Sequence, residues 1–399
     1  MLELALKYRI SMITRAADDA YDRQGLKLKL ELRGRELSNE DYFLVSDEME
    51  NVLESIAKHA DMWITNAEEP WTSPRLLKNR LAPPLTLDDL DKLSVAKALQ
   101  DLYRVQQNTY LWDMLIHLLV NDEVAPLEQM NFLGLLCKVK GGQGKRLGRP
   151  FRQKPPEARA RDERQRIMGY WHELEIFRCA DGCEALAMEM RSEIEKRHRV
   201  KLHLRTAVTN IHLTNSGVLI GSRAVRDGKV SEDPPVPAFY DFVVFTIPPT
   251  VWSKVSVIAG GTLNKEKTKV VGGKPTNLAA DPDYVMASGD CIKFFTTASD
   301  RFWLQHPPAA PYGGTLKLGQ VWEGTDNQTD TGRQQVAVLS VFAGPLIADT
   351  LKPGGKSFRV PSEKECLSEL RRLYGKRYPA KTNTKNTRYA NWPQTPFIM

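Results

Sequence analysis

Cys179-Ala180-Asp181-Gly182, Val208-Thr209-Asn210-Ile211, Ser216-Gly217-Val218 and Thr246-Ile247-Pro248-Pro249 punctuate residues 177–250, and the reading of that stretch decides the fold. Between the first two pieces, Leu186, Met190 and Ile194 recur four apart with Ala187 beside them, which predicts a helix over 183–197. Asp181-Gly182 can open its first turn. Residues 200–206 then alternate, with Val200, Leu202 and Leu204 on one side and Lys201, His203 and Arg205 on the other. Thr209, Ile211 and Leu213 continue the alternation. Asn215-Ser216-Gly217 is a turn signal, and Val218-Leu219-Ile220 can return as a second strand. After a loop holding Pro234-Pro235-Val236-Pro237, the run Phe242-Val243-Val244-Phe245-Thr246-Ile247 has the apolarity of a strand buried on both faces.

Outward from there, the first 137 residues read as mainly helical. Leu26, Leu28, Leu30 and Leu32 alternate with charged residues, a half-buried strand that enters a turn at Arg33-Gly34-Arg35. Ser38 caps a helix reaching about His59, and Thr86 and Ser94 open two more. Residues 110–119 and 127–137 are apolar and helical in pattern. On the other side, residues 260–274 are rich in Gly, Lys and Thr and read as a surface loop. A strand is expected around Ile292-Lys293-Phe294-Phe295, another over 335–344, and a helix capped by Ser362.

The net charge of +7 is local: residues 138–166 hold eleven Lys or Arg against three acids, more than the whole excess. This segment reads first as a solvated loop, then as a lid or a docking site for an acidic partner. Gly144-Lys145 is no phosphate loop, because Val139 stands where its first glycine belongs and Arg146 follows the lysine. Phe151 is the segment's one aromatic, which argues against nucleic acid. No stretch approaches the roughly 18 apolar residues of a membrane span. Five scattered cysteines suit reduced thiols in a cytoplasmic protein, and neither they nor the seven histidines have metal-ligand spacing. No Ser-His-Asp set or paired acids suggest hydrolysis.

The four pieces quoted first, in that order, resemble the middle of the flavin-containing amine oxidases, the family of monoamine, polyamine and L-amino-acid oxidases. Further segments extend the likeness over most of the chain: Pro70-Trp71-Thr72-Ser73-Pro74, Leu90-Asp91-Lys92-Leu93-Ser94, Lys293 followed by Phe302-Trp303, Ala343-Gly344, and Tyr389-Ala390-Asn391-Trp392-Pro393. The resemblance implies an α/β fold with mixed α+β character. Residues 1–175 would be the helical part of a substrate domain with the basic segment 138–166. Residues 176–255 would be the central part of an FAD-binding domain, and 256–399 the sheet and helix of the substrate domain. It implies FAD as cofactor and oxidation of a C–N bond to an imine with O2 as acceptor.

The same resemblance assigns roles to residues. Lys293 would hydrogen-bond through a water to the flavin N5, where a cation stabilises developing negative charge. Val208 would read the adenine with its backbone amide and carbonyl. Pro248 would pass near the cofactor, and Trp392 would pack beside the flavin. Read without the resemblance, the same four are a solvent-facing strand lysine, a strand valine, a turn proline and a core tryptophan.

One departure qualifies the match. The family opens with G-x-G-x-x-G, whose glycines let the backbone approach the pyrophosphate; these 399 residues contain no such motif. The C-terminal flavin-contacting segment is not recognised either. Three expectations follow: a fragment of a longer oxidase, a subunit whose partner chain supplies the dinucleotide-binding unit, or a non-catalytic homologue acting as a binding or scaffold protein. In each, the central strands would leave an exposed sheet edge. Whether the small-molecule substrate is an amine or an amino acid is left open.

Overall fold

The computed structural model describes residues 2–14, 29–72, 85–144, 155–172, 177–179, 182–197, 199–276, 289–298, 313–323, 337–349, 357–378 and 387–392. In chain order the helices are α1 Leu2–Lys7, α2 Asn39–Trp63, α3 Leu87–Lys92, α4 Val95–Asp101, α5 Tyr110–Glu123, α6 Phe132–Gly141, α7 Pro156–Ile167, α8 Gly169–His172, α9 Glu184–Glu195 and α10 Glu363–Tyr374. The strands before residue 200 are β1 Met12–Thr14, β2 Lys29–Leu32, β3 Arg35–Glu36 and β4 Phe177–Cys179. Those from 200 to 276 are β5 Thr206–Thr214, β6 Gly217–Arg226, β7 Lys229–Val230, β8 Val236–Tyr240, β9 Ser256–Ala259, β10 Thr262–Leu263, β11 Val270–Val271 and β12 Lys274–Thr276. The last are β13 Ile292–Ala298, β14 Gly313–Thr315, β15 Gly319–Glu323, β16 Ala337–Ala343, β17 Ile347–Asp349, β18 Ser357–Arg359 and β19 Thr387–Asn391. Two compact units result: Met1–Ala185 with Asp290–Ala390, and Leu186–Gly289 with Asn391–Met399.

In the first unit, side-chain caps start the helices where the sequence places them. Ser38 Oγ accepts the Asp41 amide at 3.0 Å, and Glu40 and Asp41 stabilise the positive end of α2. Leu53, Ile56, Ala57, Ala60 and Trp63 form its buried stripe and pack with α4, α5 and α6 in one core. Thr86 and Ser94 cap α3 and α4 as expected. The apolar run from Leu127 becomes helical only at Phe132, because Asn131 takes the cap position and accepts the Gly134 amide at 2.7 Å.

The basic segment is also corrected. Its described C-terminal part is the helix α7, not a loop, because its cations meet acids on α2. Arg164 reaches Glu54 at 2.8 Å, and Arg166 reaches Asp61 at 2.9 Å, with Lys140 on the same Asp61 at 2.7 Å. Arg166 and Asp61 are both half-buried with little side-chain exposure, so the pairing is not a fully solvated one.

A seven-stranded sheet in the order β19-β13-β16-β15-β14-β2-β3 completes this unit. One of its faces packs Ile292, Phe294, Leu339 and Val341 against Cys366, Leu370 and Tyr374 of α10. The N-terminal strand β2 enters the sheet in parallel beside β14, and Arg372 clamps it by forking onto Glu31 at 2.8 and 2.9 Å.

In the second unit, β5 and β6 form the expected hairpin about Asn215-Ser216, and β9 lies parallel to β5 in the order β12-β9-β5-β6-β7, with β8 on β6. Residues 260–274, expected as a loop, include the small hairpin β10–β11. Two expected strands do not form. Residues 201–204 carry no strand pairing, the strand starting only at Thr206, and 242–246 carry none either. A strand exists only where a neighbouring backbone offers complementary N–H and C=O groups. Apolar side chains are therefore left outside: Phe242 is 90% and Val244 85% exposed, and Val200, Leu202 and Leu204 are exposed as well. Phe302-Trp303, Asp181 and residues 26–28 lie outside the described residues.

Candidate functional site

Lys293 sits on β13, whose burial alternates: Ile292, Phe294 and Thr296 are buried, Lys293, Phe295 and Thr297 less so. The buried set faces α10, so Lys293 belongs to the opposite face of the sheet. Register then sets its neighbours. Lys293 pairs with Phe342 on β16, Gln320 of β15 pairs with the same Phe342, and Trp322 pairs with Ser340. Lys293, Phe295, Phe342, Gln320 and Trp322 thus share one face. The Lys293 ammonium lies 5.8 Å from the centre of the Phe342 ring, within cation–π reach, and the Trp322 ring is 6.4 Å from that of Phe342.

Among the described residues no carboxylate forms an ion pair with Lys293. Nearby, burial and then Asp290 push the Cys291 thiol up to about 11, opposed by the Lys293 charge, which keeps that thiol protonated at neutral pH. A half-buried ammonium against aromatic rings, without a protein anion, is suited to hold an ordered water or an electron-rich ligand group.

The buried residues around this face hold it in place. Helix α5 ends on the sheet through buried polar contacts: His117 Nε2 lies 3.1 Å from the Gly319 carbonyl, and the Gly344 amide donates to Asn121 Oδ1 at 3.0 Å. Burial depresses the pKa of His117, so its ring stays neutral. Gly314 admits this contact, since a Cβ there would stand 2.7 Å from the His117 ring nitrogen.

The other three residues singled out in the sequence belong to the second unit. Trp392, half-buried, directly follows β19, the neighbour of β13. Val208 lies on β5 at a bulge, where the register with β6 shifts between Val208 and Asn210. Strand β9 accompanies β5 only from Asn210, so on that edge Val208 has no partner strand among the described residues. Its backbone edge is open to a ligand. Pro248 is exposed and precedes the 3₁₀ turn Pro249–Lys254, which Trp252 Nε1 fastens by donating to the Ile247 carbonyl at 2.9 Å.

The sequence singles out Lys293 but not Phe342, Trp322 or Gln320, which the register places on the same face. Alternation along each strand was legible, yet the register that sets them across from Lys293 is a long-range property.

The sequence profile of the family described as flavin-containing amine oxidoreductase matches residues 3–399. The chain belongs to this family. Among solved structures, this chain is similar to cyclohexylamine oxidase from Brevibacterium oxydans IH-35A, at 14% identity and a TM-score of 0.59, covering 100% of this chain and 71% of the other. That likeness supports the fold, mixed helices and mixed sheets of the amine oxidase kind. The PF1083 protein of Pyrococcus furiosus also matches, at 13% identity and a TM-score of 0.41, over 95% of this chain and 74% of the other. No curated protein matches.

Family membership implies a flavin cofactor. Within the second unit the backbone edge at Val208 is open, and within the first the Lys293 ammonium lies against the Phe342 ring without an acid partner among the described residues. No G-x-G-x-x-G accompanies them to cradle a pyrophosphate. Among the described residues no helix is long and apolar enough to cross a membrane, and no cluster suits a metal ion.

Proposed function

We propose that this amine oxidoreductase is an FAD-dependent oxidase that converts a C–N bond to an imine with O2 as acceptor. The observation that carries the reading is Lys293, a half-buried ammonium facing aromatic rings and paired with no acid among the described residues. Bound flavin would supply the hydride acceptor and the route of electrons to oxygen. Lys293 holds a water by donating a hydrogen bond and contributes positive charge where negative charge develops. Val208 offers backbone groups to the adenine, Pro248 turns the chain beside the cofactor, and Trp392 shapes the site. Phe342, Trp322 and Phe295 make the Lys293 face largely apolar, while Arg388 of the neighbouring strand β19 alternates with Tyr389, which packs on the α10 side, so amine and amino-acid substrates both stay open.

We further infer that a partner chain or segment supplies the dinucleotide-binding unit. Support comes from the unpaired apolar residues of 200–204 and 242–247, which have the composition of strands and no neighbour. The five free cysteines suit the reducing cytoplasm.

The test is the visible spectrum after incubation with FAD and dialysis, alone and with a separately expressed G-x-G-x-x-G unit from a family member. The expected result is retained yellow colour in the mixture, bleached anaerobically by an amine or an amino acid. Lys293→Met is expected to keep the colour while slowing reoxidation by O2 about 10²-fold. A mixture that stays colourless contradicts the oxidase reading and leaves the scaffold reading standing.

A further inference from the structure

The C-terminal end of α5 holds both strands that frame Lys293, at the end of the sheet nearest that residue. Strand β13 is entered through Asp290, three residues before Lys293, and the Asp290 amide donates to the Val124 carbonyl at 2.8 Å. Strand β16 is left through Gly344, two residues after Phe342, and the Gly344 amide donates to Asn121 Oδ1. Lys293 and Phe342 pair one step in from the end pair of Ile292 and Ala343. Asn121 is fully buried, and its Nδ2 donates to the His117 carbonyl, so both sides of its amide are engaged and its orientation is fixed. Gly344 lies against the helix backbone, where a Cβ would stand 2.2 Å from the Val120 carbonyl oxygen. Val124 ends α5 at φ +52°, a left-handed conformation that a β-branched residue adopts only when its surroundings impose it. A buried amide, a close backbone approach and a strained helix end therefore meet beside the pair that carries the ammonium.

We propose that Asn121 is a positioning residue for Lys293: together with the Val124 carbonyl it fixes where β13 begins and β16 ends, and so where the ammonium stands over the Phe342 ring. Its part in an oxidation rests on the reading of Lys293 given above, whereas its hold on Lys293 does not. Asn121 acts only through the two strands. Without its amide, the Gly344 N–H and the His117 carbonyl lose a buried partner, and the end of β16 gains by moving to where its N–H is satisfied. Paired strands open from their ends, and Lys293 and Phe342 are the second pair from this end. The displacement reaches the ammonium, while the middle of the sheet stays packed on α10.

The experiment measures how fast acetic anhydride acetylates each lysine of the full chain, without flavin, by quantitative mass spectrometry. Exposed Lys97 on α4 is the reference, and Lys140, held on Asp61 with little exposure, reports any general loosening. Asn121→Ala and Gly344→Ala are each expected to raise the Lys293 rate about fivefold or more relative to Lys97, with Lys140 changed less than about twofold. Asn121→Asp keeps an acceptor for the Gly344 amide and should return Lys293 to within about twofold of wild type. Equal acceleration of Lys293 and Lys140, or an unchanged Lys293 rate in both alanine variants, overturns the proposal. If neither alanine variant folds, wild-type amide exchange decides: Asp290 and Gly344 are expected to exchange at least about tenfold more slowly than exposed Phe242, and equal rates overturn the proposal. A flavin mixture that stays colourless would remove the oxidase reading and leave these labelling rates as they are, so the two failures are told apart.

Discussion

The two units answer the same demand, burial of apolar surface, to very different degrees. In the first, Ile292, Phe294, Leu339 and Val341 find α10, and the α2 stripe finds α5 and α6, although Phe43, Leu44 and Met62 on the other face of α2 stay exposed. In the second, the most apolar run of the central stretch stands in solvent, with Phe242 and Val244 almost fully exposed. Residues 242–246 have the apolar composition of a strand and carry no strand pairing, so composition alone does not fix pairing.

That contrast can be broken by substitution. Phe294→Ala, in the covered unit, empties a fully buried site and is expected to cost about 3–5 kcal/mol in urea unfolding. A cost under about 1 kcal/mol would show that this core is loose. Asp61→Ala leaves Lys140 and half-buried Arg166 short of an acid, and the expected loss is about 2–3 kcal/mol, since Glu163 still holds Arg166 at 2.7 Å. Equal stability would mean that α7 is not fastened through this pair.

Acid sharpens the comparison next. Burial lowers the His59 pKa from 6.5 to about 4, while the ring stacks on Trp63 at 4.0 Å. The folded form binds its proton less readily than the unfolded chain does. Stability is thus complete above pH 6.5 and falls as the pH drops toward 4. The melting temperature of the first unit's transition should fall between pH 7 and 5, and His59→Phe should flatten that fall. No change in slope would remove His59 from the explanation. The smallest effect belongs to the open unit: Phe242→Ser should shift the stability of the chain alone by no more than about 0.5 kcal/mol. It should nevertheless weaken capture of a dinucleotide-binding unit, read as loss of retained flavin colour.

Legibility in the sequence followed the range of the interactions. Caps at Ser38, Thr86, Ser94 and Ser362 act within four residues, and each starts a helix where expected. The hairpin at Asn215-Ser216 is equally local. The helix α7 was missed because its stability comes from acids about 100 residues away on α2, which charge counting within 138–166 cannot register. Residues 200–204 and 242–247 were read correctly for apolarity but wrongly for pairing, since pairing depends on a second backbone. At the candidate site, Lys293 was visible through a family resemblance, whereas its aromatic neighbours depend on the register of β13, β15 and β16.

Amide hydrogen exchange over 200–204 and 242–247 tests most directly whether these residues are strands awaiting a neighbour. It would be measured on the chain alone and with a G-x-G-x-x-G unit plus FAD. Fast exchange alone, slowed at least about tenfold in the flavin-retaining mixture, is the predicted result. Slow exchange in the isolated chain, or unchanged exchange in a mixture that retains flavin, would contradict it.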